Sequence, residues 1–213
     1  MGKHGLGLRV LVSLLALLLV AGVVALLTGC SSSGASKNVQ NAHFEASGLL
    51  TPVRPAPPLA LHNYLGQPVD IASYRGKAVL VTFLYTHCPD VCPLIASQLR
   101  VAQNVMGSAT ASKSQIIAVS VDPKGDTSKT VAKFLAAHEM TGRMQYLTGS
   151  AHELAAVWKA WGVGAERDVG HPDLVEHTGI VYGITGSGKR MAVYAANFAP
   201  SDVAHDAPVL AEL

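Results

Sequence analysis

The run Ala78-Val79-Leu80-Val81-Thr82-Phe83-Leu84-Tyr85 constrains the fold more than any other stretch of the chain, because it is β-rich and shows no polar alternation. Alternation would mark a strand with one wet face; its absence predicts a central strand buried on both faces. The segments that follow fit such a strand. Ile95, Leu99, Ala102 and Met106 recur at helical spacing up to Gly107, and Gln115 to Val121 reads as a second buried strand ending at Asp122-Pro123. Val131, Phe134 and Leu135 put a helix within Thr127 to Met140, Met144 to Leu147 is a short strand, and Ala151 to Trp161 is a helix with Leu154, Trp158 and Trp161 inward.

On either side of this frame the turn signals are clear. Leu59 to Tyr64 and Val69 to Ile71 around Leu65-Gly66-Gln67 predict a hairpin, and Gly162 to Val175 a long loop. Glu176 to Ile184 and Arg190 to Ala196 flank the hairpin signal Gly186-Ser187-Gly188-Lys189, and a last helix begins after Pro200. A hairpin, βαβα, a long loop and ββα describe an α/β chain: a thioredoxin-like three-layer sandwich with an N-terminal β-hairpin extension. With 213 residues, 49% of them hydrophobic, there is material for one domain, residues 57–213, plus an appended segment.

The appended segment is a targeting sequence. Val10 to Leu27 is almost unbroken Leu, Val and Ala, preceded by Lys3 and Arg9 and no acid. Leu27-Thr28-Gly29-Cys30 resembles a bacterial lipobox, which makes residues 1–29 a signal peptide and Cys30 the lipidated first residue of the mature chain. The alternative, an uncleaved apolar helix, leaves the domain on the same side of the membrane. Either way the expectation is a membrane-tethered protein facing outward from the cytoplasm, a cell-membrane lipoprotein if Cys30 carries lipid. Residues 30–56 read as a flexible tether: serine-rich from Ser31 to Gln40, then proline-rich and extended from Thr51 to Pro58. Losing Lys3 and Arg9 turns 16 basic residues into 14 against 14 acidic ones, so the mature domain is near neutral and gives no argument for nucleic acid.

Cys30 aside, the cysteines are Cys88 and Cys92, in Thr86-His87-Cys88-Pro89-Asp90-Val91-Cys92-Pro93. A bond closing so short a loop constrains the unfolded chain little, so a purely structural disulfide is a poor explanation. A redox pair or a metal site remains. The motif sits where the central strand meets a helix, and a helix N-terminus favours thiolate over thiol, which predicts a lowered pKa for Cys88 and places Pro89 in the first turn. Four residues apart on a helix, the two sulfurs would share one face. Thiolates select Cu(I) or zinc over hard ions, yet two rarely close a site. His177, where the long loop gives way to a strand, is a positional candidate, although any one histidine is more often a surface or packed residue than a ligand.

Lys77 to Pro93, with its core Tyr85 to Pro93, resembles the Sco/SenC family of copper-binding proteins of cytochrome c oxidase assembly. Ser120-Val121-Asp122-Pro123 followed by Asp126-Thr127 is similar to that family's next signature, and Glu176-His177-Thr178 to its histidine segment. The likeness runs from about Pro57 to the C-terminus. It implies one copper ion, Cu(I) or Cu(II), on Cys88, Cys92 and His177, with the copper-binding subunit of the oxidase and a copper-donating chaperone as partners. A different class of function stays open, a thiol-disulfide oxidoreductase in which Cys88 and Cys92 cycle between dithiol and disulfide to reduce that subunit's cysteines. Three residues separate this pair where thioredoxin-type enzymes have two. A peroxiredoxin fits less well, since Thr86 stands two residues before Cys88 rather than three. His87 points away from its neighbour Cys88 and is not expected to ligate. Asp90 reads equally as a partner of the site and as a first-turn acid, and Asp122 as a site residue or an Asp-Pro turn. Met106, Met140, Met144 and Met191 are scattered at core-like positions and form no copper-binding cluster.

Overall fold

The structure, a computed structural model, describes residues 43–167, 175–177 and 179–213, without the side chains of 165–167, 176 and 177. The apolar run Val10 to Leu27, Cys30 and the serine-rich spacer lie outside the described residues. Ten strands are described: β1 Gly48–Pro55, β2 Ala60–Asn63, β3 Pro68–Asp70, β4 Ala78–Leu84, β5 Ser114–Ser120, β6 Met144–Thr148, β7 Ala165–Arg167, β8 Val175–His177, β9 Ile180–Ile184 and β10 Lys189–Ala195. The α-helices among the described residues are α1 Val91–Ala111, α2 Ser128–Ala137, α3 Ala151–Trp161 and α4 Pro200–Glu212. Eight strands form one sheet in the order β1-β10-β9-β4-β5-β6-β2-β3, while β7 and β8 pair separately.

β4 lies in the middle of the sheet, and all seven of its residues are buried. It runs parallel to β5 with Ala78 opposite Ser114, and antiparallel to β9 with Val81 opposite Tyr182. Helices cover both faces. Tyr182 packs its ring against Trp161 of α3, whereas a Cβ on its neighbour Gly183 would touch Leu210 of α4; successive strand residues point to opposite faces, so α3 and α4 lie on opposite sides. α1 packs against α4 and so shares its face. This is the expected three-layer sandwich.

Local chemistry sets the helix bounds. Ser150 and Glu153 make a reciprocal capping box at the start of α3, and Gly162 closes it in the left-handed conformation at φ 71 and ψ 32. Thr127 and Thr130 cap α2 in the same way. α1 is regular to Gly107, whose φ of 72 breaks it where the periodicity stops. Trp158 is half-buried rather than fully inward, its indole N–H donating to the Ser120 carbonyl at 2.9 Å.

Three expectations need correction. Residues 48–55, within the expected tether, are an edge strand, β1, antiparallel to β10; an edge tolerates Pro52 and Pro55 because its outer N–H groups need no ladder partner. The long loop contains β7, which pairs with β8 by setting Ala165 opposite His177. The strand expected over Glu176 to Ile184 is two strands, β8 and β9, interrupted before Ile180.

Candidate metal centre

The carboxyl end of β4 runs into the cysteine loop, and helix α1 starts later than expected. Asp90 is the N-cap and Val91 the first helical residue, so Cys88 and Pro89 precede the helix and Cys92 lies in its first turn. The sulfurs therefore do not share a helix face. They meet because the loop folds back: the Cys92 backbone N–H donates to Cys88 Sγ at 3.4 Å. Asp90 makes no side-chain cap, so the sulfur satisfies a first-turn amide that an N-cap side chain usually takes. The positive end of α1 thus bears on Cys88 from outside the helix.

The two thiols differ. Cys92 is fully buried and Cys88 half-buried, and no disulfide joins them. Cys92 is pushed well above the ordinary thiol range, chiefly because its S–H donates to Cys88 and secondly by burial. Tyr85 also hydrogen-bonds to Cys88 through its side chain, and its own pKa is pushed up to about 12, mainly by burial. The Cys92 amide, the Cys92 thiol and the Tyr85 hydroxyl therefore converge on one sulfur. Donors gathered around an acceptor favour its charged form, so the negative charge of the pair belongs on Cys88.

Tyr85 also ties the site to the histidine segment. Its hydroxyl receives a backbone hydrogen bond from Val175, the first residue of β8, two positions before His177. On the other side of His177, a Cβ on Gly179 would stand 2.7 Å from Val91 Cγ1 and 3.9 Å from Ile95 Cδ1. The backbone on both sides of His177 is thus held against the cysteine loop and the first turns of α1. The His177 side chain lies outside the described residues, as do Thr178 and the lipidation candidate Cys30.

Beneath the loop is the carboxylate of Asp126, whose place at the site is visible only in the fold. Asp126 Oδ1 accepts from the Thr86 backbone N–H at 2.8 Å, and Oδ2 accepts from Ser120 Oγ at 2.6 Å and the Tyr146 hydroxyl at 2.8 Å. Burial raises its pKa, while these donors oppose the rise. Asp126 joins the end of β5, the strand β6 and the residue two before Cys88. An acid just after a buried strand, in the pair Asp126-Thr127, was the signal available.

The neighbours fall where their chemistry suggests. His87 is exposed and its Nδ1 lies 3.2 Å from Thr86 Oγ1. Asp122 is buried at the turn after β5, where its backbone carbonyl accepts from Asp126 N at 2.9 Å. A Cβ on Gly125 would overlap Asp122 Oδ2 and lie 3.1 Å from His87 Nδ1, so this turn packs directly against the cysteine loop. Asp90 is exposed at the N-cap. Met140, Met144 and Met191 are buried and Met106 is partly buried against the core. A buried thiol and an accessible one, held together beside a histidine-bearing strand, make a donor set for a soft metal.

Residues 52–211 match the SCO1/SenC family model. Protein SCO1 homolog, mitochondrial, of Homo sapiens is 27% identical over 151 residues, 69% of this chain and 50% of that protein. The chain spans about half the length of the curated relatives it matches. Among solved structures, ScoI of Bradyrhizobium japonicum with copper bound is 29% identical at a TM-score of 0.65, over 73% of this chain and 99% of that one. BsSco, described as having a disulfide switch and as a member of the Sco family of cytochrome c oxidase assembly proteins, is 24% identical at a TM-score of 0.65, over 80% and 98%, and shares the fold.

Proposed function

The chain belongs to the SCO1/SenC family, and from that premise we propose that it is a copper metallochaperone of cytochrome c oxidase assembly. It holds one copper ion on Cys88, Cys92 and His177 and delivers it to the binuclear copper site of the oxidase subunit. A lipid on Cys30 anchors it to the membrane, with the domain on the extracytoplasmic side.

The observation that carries this reading is the convergence on Cys88: a half-buried sulfur bridged by hydrogen bonds to Cys92 and, through Tyr85, to the strand that bears His177. Thiolate donors select copper or zinc over hard cations. Partial exposure of Cys88 beside a buried Cys92 suits transfer, because a partner offering further sulfur ligands can take the ion from the accessible side first. Mixing copper-loaded protein with the metal-free copper domain of the oxidase subunit tests delivery. Copper should appear in the acceptor, with the thiolate absorption of its binuclear centre; retention by the donor at equimolar acceptor would refute it.

The asymmetry of the two thiols also favours a second reading, a thiol-disulfide oxidoreductase acting on the same subunit. In such exchange an accessible thiolate attacks and a protected thiol resolves the mixed disulfide, and Cys88 and Cys92 have those characters. Reduction of an oxidase-subunit disulfide by metal-free protein, retained in His177→Ala, favours this reading over copper delivery.

A further inference from the structure

The first described residues and the last helix meet in a cluster that takes no part in the cysteine site. His43, Glu45 and His205 each bring one ligand atom, and the three atoms lie within 4.8 Å of one another. His43 Nδ1 is 3.3 Å from Glu45 Oε1. The two imidazole rings stand edge to face, centroids 6.0 Å apart and planes at 89°. All three side chains are exposed, by 78%, 48% and 47%, so an ion could reach them without opening the fold.

A buried support beneath distinguishes this cluster from a chance surface group. Asp206, fully buried, places Oδ1 2.8 Å from His205 Nδ1 and accepts the Glu45 backbone N–H on the same oxygen at 2.9 Å. Its Oδ2 accepts from the Tyr194 hydroxyl at 2.9 Å. One carboxylate therefore fixes both the ring of one ligand and the backbone of another, across a sequence separation of 161 residues. A neutral His205 that gives its Nδ1–H to Asp206 keeps the Nε2 lone pair for a ligand. Metal-bound imidazoles are held in this way, with an outer carboxylate setting tautomer and orientation.

We propose that His43, Glu45 and His205 form a second, thiolate-free metal site for a borderline divalent ion, binding Cu2+ ahead of Zn2+. Two imidazoles and one carboxylate are too few and too soft for Ca2+ or Mg2+, and they lack the sulfur that Cu+ prefers. Among first-row divalent ions such N/O donor sets bind Cu2+ most tightly. The site thus differs from the cysteine centre in holding no sulfur donor, and it stands whether or not the copper reading of Cys88, Cys92 and His177 holds. An ion here also fastens residues 43–45 to α4, since its ligands come from both.

The test uses the full chain carrying Cys88→Ser, Cys92→Ser and His177→Ala, titrated with Cu2+ alone and with Zn2+ alone and followed by electron paramagnetic resonance. It should bind a single equivalent of Cu2+ with hyperfine coupling to two imidazole nitrogens, and Zn2+ should displace it only in excess. Adding His43→Ala or His205→Gln should lower Cu2+ affinity by about tenfold or more, the scale that even an outer-shell change reaches. The His43 side chain is 78% exposed, so thermal unfolding of His43→Ala without metal should be unchanged, which separates ligation from a structural role; His205→Gln, which also removes the contact with buried Asp206, is read by its copper spectrum. Absence of stoichiometric binding would overturn the proposal. So would a Cu2+ spectrum and affinity unaltered by either substitution, which would assign the ion to other histidines.

Discussion

At the scale of single residues, chemically identical groups take unequal roles. Cys88 collects donors and Cys92 supplies them, so the pair should react unequally with an alkylating agent. Iodoacetamide at pH 8 should label Cys88 and spare Cys92 in the folded protein, because Cys92 is both buried and held protonated; equal labelling by mass spectrometry would contradict this. Asp126 is the other decisive residue. Asp126→Ala strips acceptors from the Thr86 amide and the Ser120 and Tyr146 hydroxyls, and buried groups left unsatisfied cost about 1–3 kcal/mol each. We expect a loss of about 3 kcal/mol in urea unfolding, with weaker copper binding as the cysteine loop loosens; a loss under about 0.5 kcal/mol, the size of a neutral surface change, would refute the role. The connections of this network could not be read from the sequence, although Asp126 stands in a motif, because its members come from β5, the turn after it, β6 and the cysteine loop, and only the folded sheet brings them together.

At the scale of elements, legibility followed the strength of local chemistry. α3 was readable to its last residue because Ser150, Glu153 and Gly162 state its ends in the sequence. β4 was readable because burial on both faces leaves no polar alternation. β1 was not, since its prolines and exposed pattern are those of a linker until β10 pairs with it, and β7 is too short to show a period. The start of α1 was misplaced for a related reason: the sequence put Pro89 in the first turn, whereas the chain is first helical at Val91 and uses a sulfur where a capping oxygen usually stands. The entry to β9 depends on Gly179, whose missing Cβ lets the histidine segment approach α1. Gly179→Ala would bring a methyl to 2.7 Å from Val91 Cγ1 and force the two elements apart. Overpacking of this kind costs about 1–3 kcal/mol. Thermal unfolding should register it, and copper affinity should fall with it; unchanged affinity would separate His177's segment from the site.

At the scale of the whole molecule, several acids are held protonated by the interior. Burial first, then Asp126 and Asp206 respectively, raise the hydroxyls of Tyr146 and Tyr194, and Cys92 is raised as described. An acid whose pKa is higher in the folded state contributes stability that is fully present below its unfolded value and is lost as pH rises through the folded one. Ordinary values are 9.0 for the thiol and 10.0 for the phenols. Stability measured by urea unfolding should therefore fall from about pH 9 upward, at up to about 1.4 kcal/mol per pH unit for each group ionised only in the unfolded chain. A flat profile to pH 11 would contradict the buried protonated state of these groups.

The claim on which the function depends is that Cys88, Cys92 and His177 together hold copper, and a copper titration of the reduced full chain tests it most directly. With Cys88→Ser, Cys92→Ser and His177→Ala measured in parallel, each variant should lose affinity by more than the about 10–100-fold of an outer-shell change, and oxidation of the cysteine pair should abolish high-affinity binding in the unsubstituted chain. Copper affinity and bound-metal spectrum left unchanged by His177→Ala would contradict the three-ligand account.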